Sequence, residues 1–458
     1  MLVMKFGGTS VGSAERMKQV LALSTRAMDK EKGEPPVVVL SAMSGVTNLL
    51  IAGAEQALAH NLTEASQTVR AILNKHEQAI DELLGKSDAA AKILEELTPY
   101  LEELDVLYKG ISYLGELSKR SLDAVSGIGE LLSSKILAAY AVQQKIDAHW
   151  LDARNFMITD DSFGKASPLW EEVEKRCRQL ITPELKQKKI VFTQGFIGAT
   201  TDGVSTTLGR GGSDYSASII GAAVKAREIQ IWTDVDGMLS ADPRVVPEAR
   251  LLDEVSFQEA SELAYFGAKV LHPLTIKPAV EQNIPVRILN TFNPENQGTL
   301  ITATARATGT IRAVAAKKDI TALFLNSPRM LMTHGFLAQV FQVFDRHKVP
   351  IDLIATSEVS VALTIDSKDQ AEPLLKDLSE FGELQTLDKV AIVSVVGRQF
   401  REQSGIAGRV FRALSDINII VISGGASDIN INFVVNNTDA DKAVKQLHSE
   451  FFSAAAAV

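Results

Sequence analysis

Leu2-Val3-Met4-Lys5-Phe6-Gly7-Gly8-Thr9-Ser10 opens the chain with an apolar run broken by one lysine, then two glycines and two hydroxyls. A run this short and this apolar, ended by glycine, predicts a strand buried on both faces, as a parallel sheet requires. The same pattern recurs at 37–40, 190–193 and 229–233, each run leading into a polar or glycine-bearing turn, with helical patterns between them. Strands alternating with helices predict an α/β fold on an open, mostly parallel sheet. In such sheets ligands bind beyond the carboxyl ends of the strands, so the loops after these runs are where chemistry is to be sought.

The length of 458 residues predicts roughly three folded units at about 150 residues each. With 47 basic against 56 acidic residues the formal charge is −9, which argues against a nucleic-acid partner. The single cysteine, Cys177, excludes an intramolecular disulfide and a cysteine-based zinc site, and fits a reducing compartment. The N-terminus lacks the pattern of a signal peptide, and no window offers about 18 uninterrupted apolar residues, so a cytoplasmic protein without membrane contact is expected. From Asn48 to Gln144 the chain is rich in Leu, Ala, Glu and Lys with Pro99 as its one proline, which predicts helices. Ser256 and Glu259 form a capping-box pattern for a further helix with Leu263, Phe266 and Val270 on one face, stopped by Pro273 and delivering Lys269 near its end.

After Gln297-Gly298 the composition shifts, and the Ala/Thr-rich 302–310 stretch reads as a linker. Beyond it lies a repeat. An offset of 70 residues lays Gly335–Phe341 over Gly405–Phe411, and Ser357-Glu358 over Ser427-Asp428. Each copy reads strand, glycine turn, amphipathic helix, strand, turn, strand, with Leu337, Val340, Phe341 and Phe344 as the expected apolar stripe of the first helix. Two small α+β modules are predicted.

Several loops have the composition of anion sites. Lys5 with Gly7 and Gly8 offers a cation and close-approaching backbone amides at a strand exit. Gly7 and Gly12 are spaced as in a P-loop, but Ser13-Ala14 follow where that motif needs Lys and Ser or Thr, so this is no P-loop; a tight turn with a solvated lysine also fits. Ser41 to Asn48 could cradle an anion or simply cap a helix. Thr206 to Tyr215 holds three glycines and Arg210 before an apolar helix, where a bidentate guanidinium and a helix N-terminus favour a carboxylate or phosphate. Asp214 there is either a helix cap or a carboxylate that holds lysines or a metal. Thr233-Asp234-Val235-Asp236-Gly237 and Asp242-Pro243-Arg244 offer a hydroxyl, carboxylates and an arginine to a nucleotide. Calcium binding is not expected, because Val245 stands where the loop's twelfth-position glutamate belongs. Glu130, after Ser126-Gly127-Ile128-Gly129, opens a helix, where an acid is ordinarily a dipole partner. The seven histidines show no metal-ligand spacing, and no Gly-x-Ser-x-Gly elbow occurs.

Lys5–Ser10, Leu40–Asn48, Gly129-Glu130, Gln194-Gly195-Phe196, Thr207–Asp214, Trp232–Gly237, Asp242–Arg244 and Phe266–Pro273, taken in this order and followed by the repeat, resemble the aspartate kinases over essentially the whole chain. The resemblance implies an amino-acid-kinase-like, three-layer αβα catalytic domain over 1–301, and a linker with a strand shared with the regulatory region over 302–318. Two ferredoxin-like ACT modules would follow over 319–388 and 389–458. It implies a monofunctional kinase that converts ATP and L-aspartate to 4-phospho-L-aspartate and ADP, the first step of lysine, threonine and methionine biosynthesis, with Mg2+ accompanying ATP. Lys5 and Lys269 would neutralise phosphoryl charge, and Asp214 would organise the lysines. Arg210 would grip the substrate α-carboxylate, with Ser41, Thr47, Glu130 and Ser213 completing that site. Gly7, Gly8, Thr233, Asp234 and Arg244 would face nucleotide. Leu239 departs from lysine-sensitive relatives, which often carry tyrosine there. Met330, Thr333, Gly335, Phe336, Leu337, Asp352, Ser357, Glu358 and Val359 line up with an amino-acid effector pocket, for lysine ahead of threonine, and the modules imply a homodimer or higher oligomer. The rival readings are a kinase of the same fold acting on glutamate, acetylglutamate or a nucleotide, and an amino-acid sensor with a decayed kinase domain.

Overall fold

The computed structural model describes residues 1–266, 271–305, 310–331, 333–366 and 372–453. By contact the chain divides into two units. The first is Met1–Gly237 with Asp253–Phe257 and Val270–Ala305; the second is Met238–Leu252 with Gln258–Lys269 and Arg306–Val458.

In the first unit the four apolar runs form β1 (Leu2–Phe6), β2 (Val37–Leu40), β4 (Ile190–Gln194) and β7 (Glu228–Thr233). With β3 (Ala148–Trp150), β8 (Glu254–Ser256), β9 (Val286–Asn290) and β10 (Thr299–Thr302) they make one sheet in the order β3-β4-β2-β1-β7-β9-β10-β8. All pairings are parallel except β9 with β10. A small antiparallel ribbon, β5 (Ile197–Ala199) and β6 (Ser205–Thr207), stands apart. The chain leaves β1 toward β2 and later returns on the other side as β7, so β1 is a topological switch point with a crevice at its carboxyl end.

Alternation along β1 sets the layers. Leu2, Met4 and Phe6 join the large core beneath α1 (Ala14–Lys30), α2 (Val46–Leu58), α3 (Leu62–Leu84), α4 (Asp88–Leu114) and α6 (Ile128–Gln143). A short α5 (Lys119–Ser126) leads into α6. The other face of the sheet meets α8 (Gly212–Ala223), beside which pack α7 (Trp170–Lys186) and α10 (Lys277–Glu281). The three-layer arrangement and the helical 48–144 stretch are as expected. Lys119–Gln143 is apolar and long enough to cross a membrane, but 78% of its apolar window is buried here, so core packing accounts for its composition.

The second unit holds one antiparallel sheet in the order β12-β13-β11-β14-β16-β15. The strands are β11 (Ile311–Asn326), β12 (Ile354–Thr356), β13 (Ser360–Ile365), β14 (Glu383–Gly397), β15 (Val421–Gly424) and β16 (Asn430–Asn436). Helices α11 (Phe336–His347), α12 (Glu372–Ser379), α13 (Ile406–Ala413) and α14 (Asn437–Phe452) cover it. The 70-residue repeat is real at the backbone level, since Gly335 and Gly405 are both left-handed N-caps, at φ 80° and 86°, and β13 and β16 begin at Ser360 and Asn430.

The two modules are interleaved rather than consecutive. The first half of β11, up to Lys317, pairs with Ile392–Gly397 beside β16, while Thr321–Asn326 pairs with β13 and with the start of β14. An irregularity between Lys317 and Ala322, with Asp319 at φ 60°, divides the halves. One core gathers Leu323, Phe336, Val340, Leu363 and Leu374; the other gathers Val314, Val393, Val410, Phe433 and Leu447. Ala241 and Val246 join the second core, and Val314 N donates to Ser240 O at 2.8 Å, which explains why 238–252 belongs to this unit.

One detail corrects the expectations and another adds to them. The buried stripe of α11 is Phe336, Val340, Val343 and Phe344, with Leu337 half-buried and Phe341 37% exposed, because the helix starts one residue after the Gly335 cap and turns Phe336 inward onto Phe381. The helix expected after Ser256 is α9 (Phe257–Phe266). Its Glu259 is fully buried and receives Arg398 Nε and Nη2 at 2.6 and 2.9 Å, a tertiary ion pair that the capping-box pattern does not announce. Val270 and Lys269 lie outside the described residues.

Candidate active site

At the carboxyl end of β1 the first unit contains a cleft of about 570 Å³. Lys5 emerges on the face opposite Met4 and Phe6, toward α8, and its Nζ lies 2.6 Å from Asp214 Oδ1. Both side chains are largely buried, at 11% and 14% exposure, so solvent screens the contact little. The approach is an ion contact rather than an aligned hydrogen bond, since Asp214 Oδ1 has no geometrically satisfactory donor among the described residues. Asp214 is not the cap of α8. That cap is Gly211, at φ 71°, a conformation glycine adopts without strain. Asp214 instead sits in the first turn, with its carboxylate turned to Lys5.

Gly8 is required by close approach, because a Cβ there would lie 2.9 Å from Ala42 O. It brings the β1 exit against the second loop, where Ser44 N donates to Gly8 O at 3.2 Å. That loop runs into α2 and presents Ser41 and Thr47 to the cleft. Ser41 Oγ donates to Ser213 Oγ at 3.0 Å, which ties the loop to the start of α8. Ser133 Oγ supports Ser41 O at 2.8 Å, and Lys75 Nζ reaches Ser44 O at 2.6 Å.

Glu130, in the first turn of α6, also lines the cleft, yet it is 4% exposed and its Oε2 has no partner among the described residues. Burial pushes its carboxyl up to about 8, against the opposing pull of backbone hydrogen bonds at Ala42 and at Glu130 itself. A buried acid at the wall of a cleft is a candidate partner for a cationic ligand group. Arg210 stands exposed in the glycine-rich loop on the same cleft. Asp234, after β7, lines it as well, and Thr233 Oγ1 donates to Asp234 Oδ1 at 3.2 Å. Gly7 lies at the β1 exit with its N–H on Trp232 O at 3.2 Å.

The cleft thus gathers Lys5, Gly8, Ser41, Thr47, Glu130, Arg210, Ser213, Asp214 and Asp234 from five separate stretches of sequence. Arg244 does not line it. It belongs to the second unit, forks onto Asp242 at 3.0 and 2.6 Å, and is 86% exposed. Lys269 is outside the described residues. Leu239 bridges Leu251 in the second unit. Sequence reading gave no role to Thr9, Met43 or Phe196, which also line the cleft. Phe196 is a bulky residue held at φ 69°, and its ring lies where a Cβ on Gly212 would come within 2.7 Å. The adjoining Gly195 was the available signal.

In the second unit the expected effector residues divide between the two ends of β13. Met330, Thr333, Gly335, Phe336 and Leu337 belong to the turn and helix start after β11, and Ser357, Glu358 and Val359 to the neighbouring turn, joined through Ser327 N on Val359 O at 2.8 Å. Ser357, Glu358, Thr333 and Gly335 are exposed. Asp352 lies at the opposite end, its N–H on Thr364 O at 3.0 Å. Its carboxylate is already engaged, by Lys317 Nζ at 2.9 Å and by the Tyr265 hydroxyl.

Residues 1–290 match the amino acid kinase family, and residues 393–451 match the ACT domain family. The lysine-sensitive aspartokinase 3 of Escherichia coli is 38% identical over 461 residues, covering 98% of this chain and 99% of that one. Aspartokinase 1, chloroplastic, of Arabidopsis thaliana is 38% identical, covering 98% of this chain and 80% of its own length. Among solved structures, E. coli aspartokinase III in complex with aspartate and ADP superposes with a TM-score of 0.85 at 36% identity, over 99% of this chain and all of that one. The same enzyme in complex with lysine and aspartate gives a TM-score of 0.81, with the same identity and coverage.

Proposed function

The chain belongs to the aspartokinase family, and on that premise we propose that the cleft at the end of β1 transfers the γ-phosphoryl group of ATP to the side-chain carboxylate of L-aspartate, yielding 4-phospho-L-aspartate and ADP. The observation that carries the assignment of roles is the Lys5–Asp214 pair, which shares one cleft with a buried acid, Glu130, and an exposed guanidinium, Arg210. Arg210 takes the α-carboxylate in bidentate fashion. Glu130 takes the α-ammonium, which draws it into its charged form. Ser41, Thr47 and Ser213 complete the contacts. With both α-substituents held, the β-carboxylate points at Lys5.

That carboxylate is already ionised at neutral pH, so no general base is needed. One of its oxygens forms a bond to the γ-phosphorus as the bond from that phosphorus to the β,γ-bridging oxygen breaks, and ADP leaves. Charge spreads over the equatorial oxygens of the transferring group, and catalysis consists of positioning and neutralising it. Lys5 supplies a cation there, held in line by Asp214. The amide at Gly8 and the N-terminus of α8 favour the same negative charge. Thr233 and Asp234, at the end of β7, complete the proposed nucleotide contacts on the first unit. ATP enters as its magnesium complex, the metal being part of the substrate.

The repeat modules take an amino-acid effector, lysine ahead of threonine, and so give feedback control of a step that opens lysine, threonine and methionine biosynthesis in the cytoplasm. Because Asp352 and the 357–359 turn lie at opposite ends of β13, a small effector that touches both needs a second copy of the module, which favours a homo-oligomer. Trapping with hydroxylamine tests the chemistry. The acyl phosphate gives aspartate hydroxamate only when ATP and L-aspartate are both present, and a hydroxamate formed equally well from L-glutamate contradicts the substrate assignment.

A further inference from the structure

Asp123, on α5, does not line the cleft, and no step above uses it. It is nevertheless 2% exposed, and its carboxylate is fully engaged by neutral donors. Oδ1 accepts from Thr207 Oγ1 at 2.7 Å, and Oδ2 accepts from Thr207 N at 3.0 Å and from Gly164 N at 2.9 Å. Burying a carboxylate costs several kcal/mol before such bonds are made. What this one joins is therefore informative.

Its main-chain oxygen accepts from Gly127 N at 3.2 Å and so closes α5 where α6 begins, and Glu130 lies in the first turn of α6. Its side chain holds Thr207, the last residue of β6, and Arg210 follows three residues later. The Gly164 amide on the same oxygen belongs to a turn that backs the glycine-rich loop. Gly209, at φ 77°, lies so close that a Cβ on it would sit 3.0 Å from Gly164 O. One residue thereby ties the segment carrying Glu130 to the segment carrying Arg210.

We infer that Asp123 is a positioning residue for the amino-acid substrate, fixing the separation between Glu130 and Arg210 so that an ammonium and a carboxylate borne on one carbon meet both. The inference rests on the reading of those two residues as the substrate's α-group contacts. Misplacing a binding group by about 1 Å is enough for a large loss, and the loss should fall on aspartate, because Lys5 and the nucleotide loops after β1 and β7 do not hang on this bond set.

The test is steady-state kinetics on the full chain with MgATP and L-aspartate varied in turn, for Asp123→Ala, Asp123→Asn, Thr207→Val and Thr207→Ser. Asp123→Ala is expected to raise KM for aspartate about 10-fold or more while KM for ATP stays within about 2-fold. Asp123→Asn can still accept both amides through one oxygen, so it folds and restores part of the affinity. Thr207→Val falls between wild type and Asp123→Ala, and Thr207→Ser, which keeps the hydroxyl, matches wild type. If Asp123→Ala does not fold, the Asn and Val variants carry the test. Folded variants with unchanged KM for aspartate, or with both KM values rising in parallel, overturn the inference. Arg210→Ala serves as the reference. If it too leaves KM for aspartate unchanged, the site reading itself falls; if it raises KM while the Asp123 and Thr207 variants do not, only the positioning role falls.

Discussion

At the scale of single residues, Glu130 must change charge to do its proposed work. With its carboxyl pushed up to about 8 by burial, it is largely neutral in the free protein at pH 7 and ionises as the substrate ammonium arrives. kcat/KM for aspartate is therefore expected to rise with pH through about 8, and Glu130→Gln to lower it and flatten that rise. The same shift acts on stability. A folded pKa above the unfolded value of 4.5 favours the fold below that value, and the benefit is lost as pH rises through about 8. The difference corresponds to roughly 5 kcal/mol. Glu130→Gln should therefore melt above wild type at pH 9, with the gap closing toward pH 5 in thermal scans. Lys5→Ala should cut kcat about 10²- to 10³-fold, as loss of one charge-stabilising group does, with the far-UV spectrum unchanged. An unfolded variant, or near-normal kcat, counts against its role. Residue identities were legible in the sequence, since the glycines, Lys5 and Arg210 sit in recognisable loops. Their pairing was not. Nothing local tells whether Asp214 caps its helix or turns its carboxylate to Lys5, and the structure shows the second. From its own stretch Glu130 likewise reads as an ordinary first-turn acid, because burial is a tertiary property, and only the family resemblance puts it in the substrate site.

At the scale of elements, the four apolar runs and the repeat were legible because burial on both faces and a glycine cap leave strong local marks. The α11 stripe was legible only in part. Leu337, Val340, Phe341 and Phe344 fit helical spacing, but the Gly335 cap fixes where the helix starts and so rotates Phe341 toward solvent. Val340→Ala is expected to lower stability by about 1–3 kcal/mol, as loss of a fully buried side chain does, while Phe341→Ser costs well under 1 kcal/mol. Denaturant melts of the two variants decide, and equal losses would mean the stripe runs as the sequence pattern alone suggests. α9 makes the complementary point. Its capping-box spelling was readable, and Glu259 also meets Arg398, a partner no local pattern announces.

At the scale of the whole chain, the order of a catalytic α/β unit followed by a duplicated α+β region could be read from composition shifts and the repeat. What could not be read is the interleaving. Half of β11 serves each module, and residues 238–252 leave the catalytic stretch to join the second core, taking Arg244 with them. Hydrophobic patterning specifies that a strand is buried, not which partner buries it. The regulatory reading belongs at this scale too. L-lysine should suppress turnover more strongly than L-threonine, and Asp352→Asn should weaken that suppression while leaving turnover without effector intact, as inhibition curves would show. The most direct test of the central claim is ADP release by the purified chain with magnesium and ATP, comparing L-aspartate with L-glutamate. The account predicts turnover that depends on aspartate, is near background with glutamate, and collapses in Lys5→Ala; equal turnover with both amino acids, or aspartate-independent ADP release that survives Lys5→Ala, would contradict it.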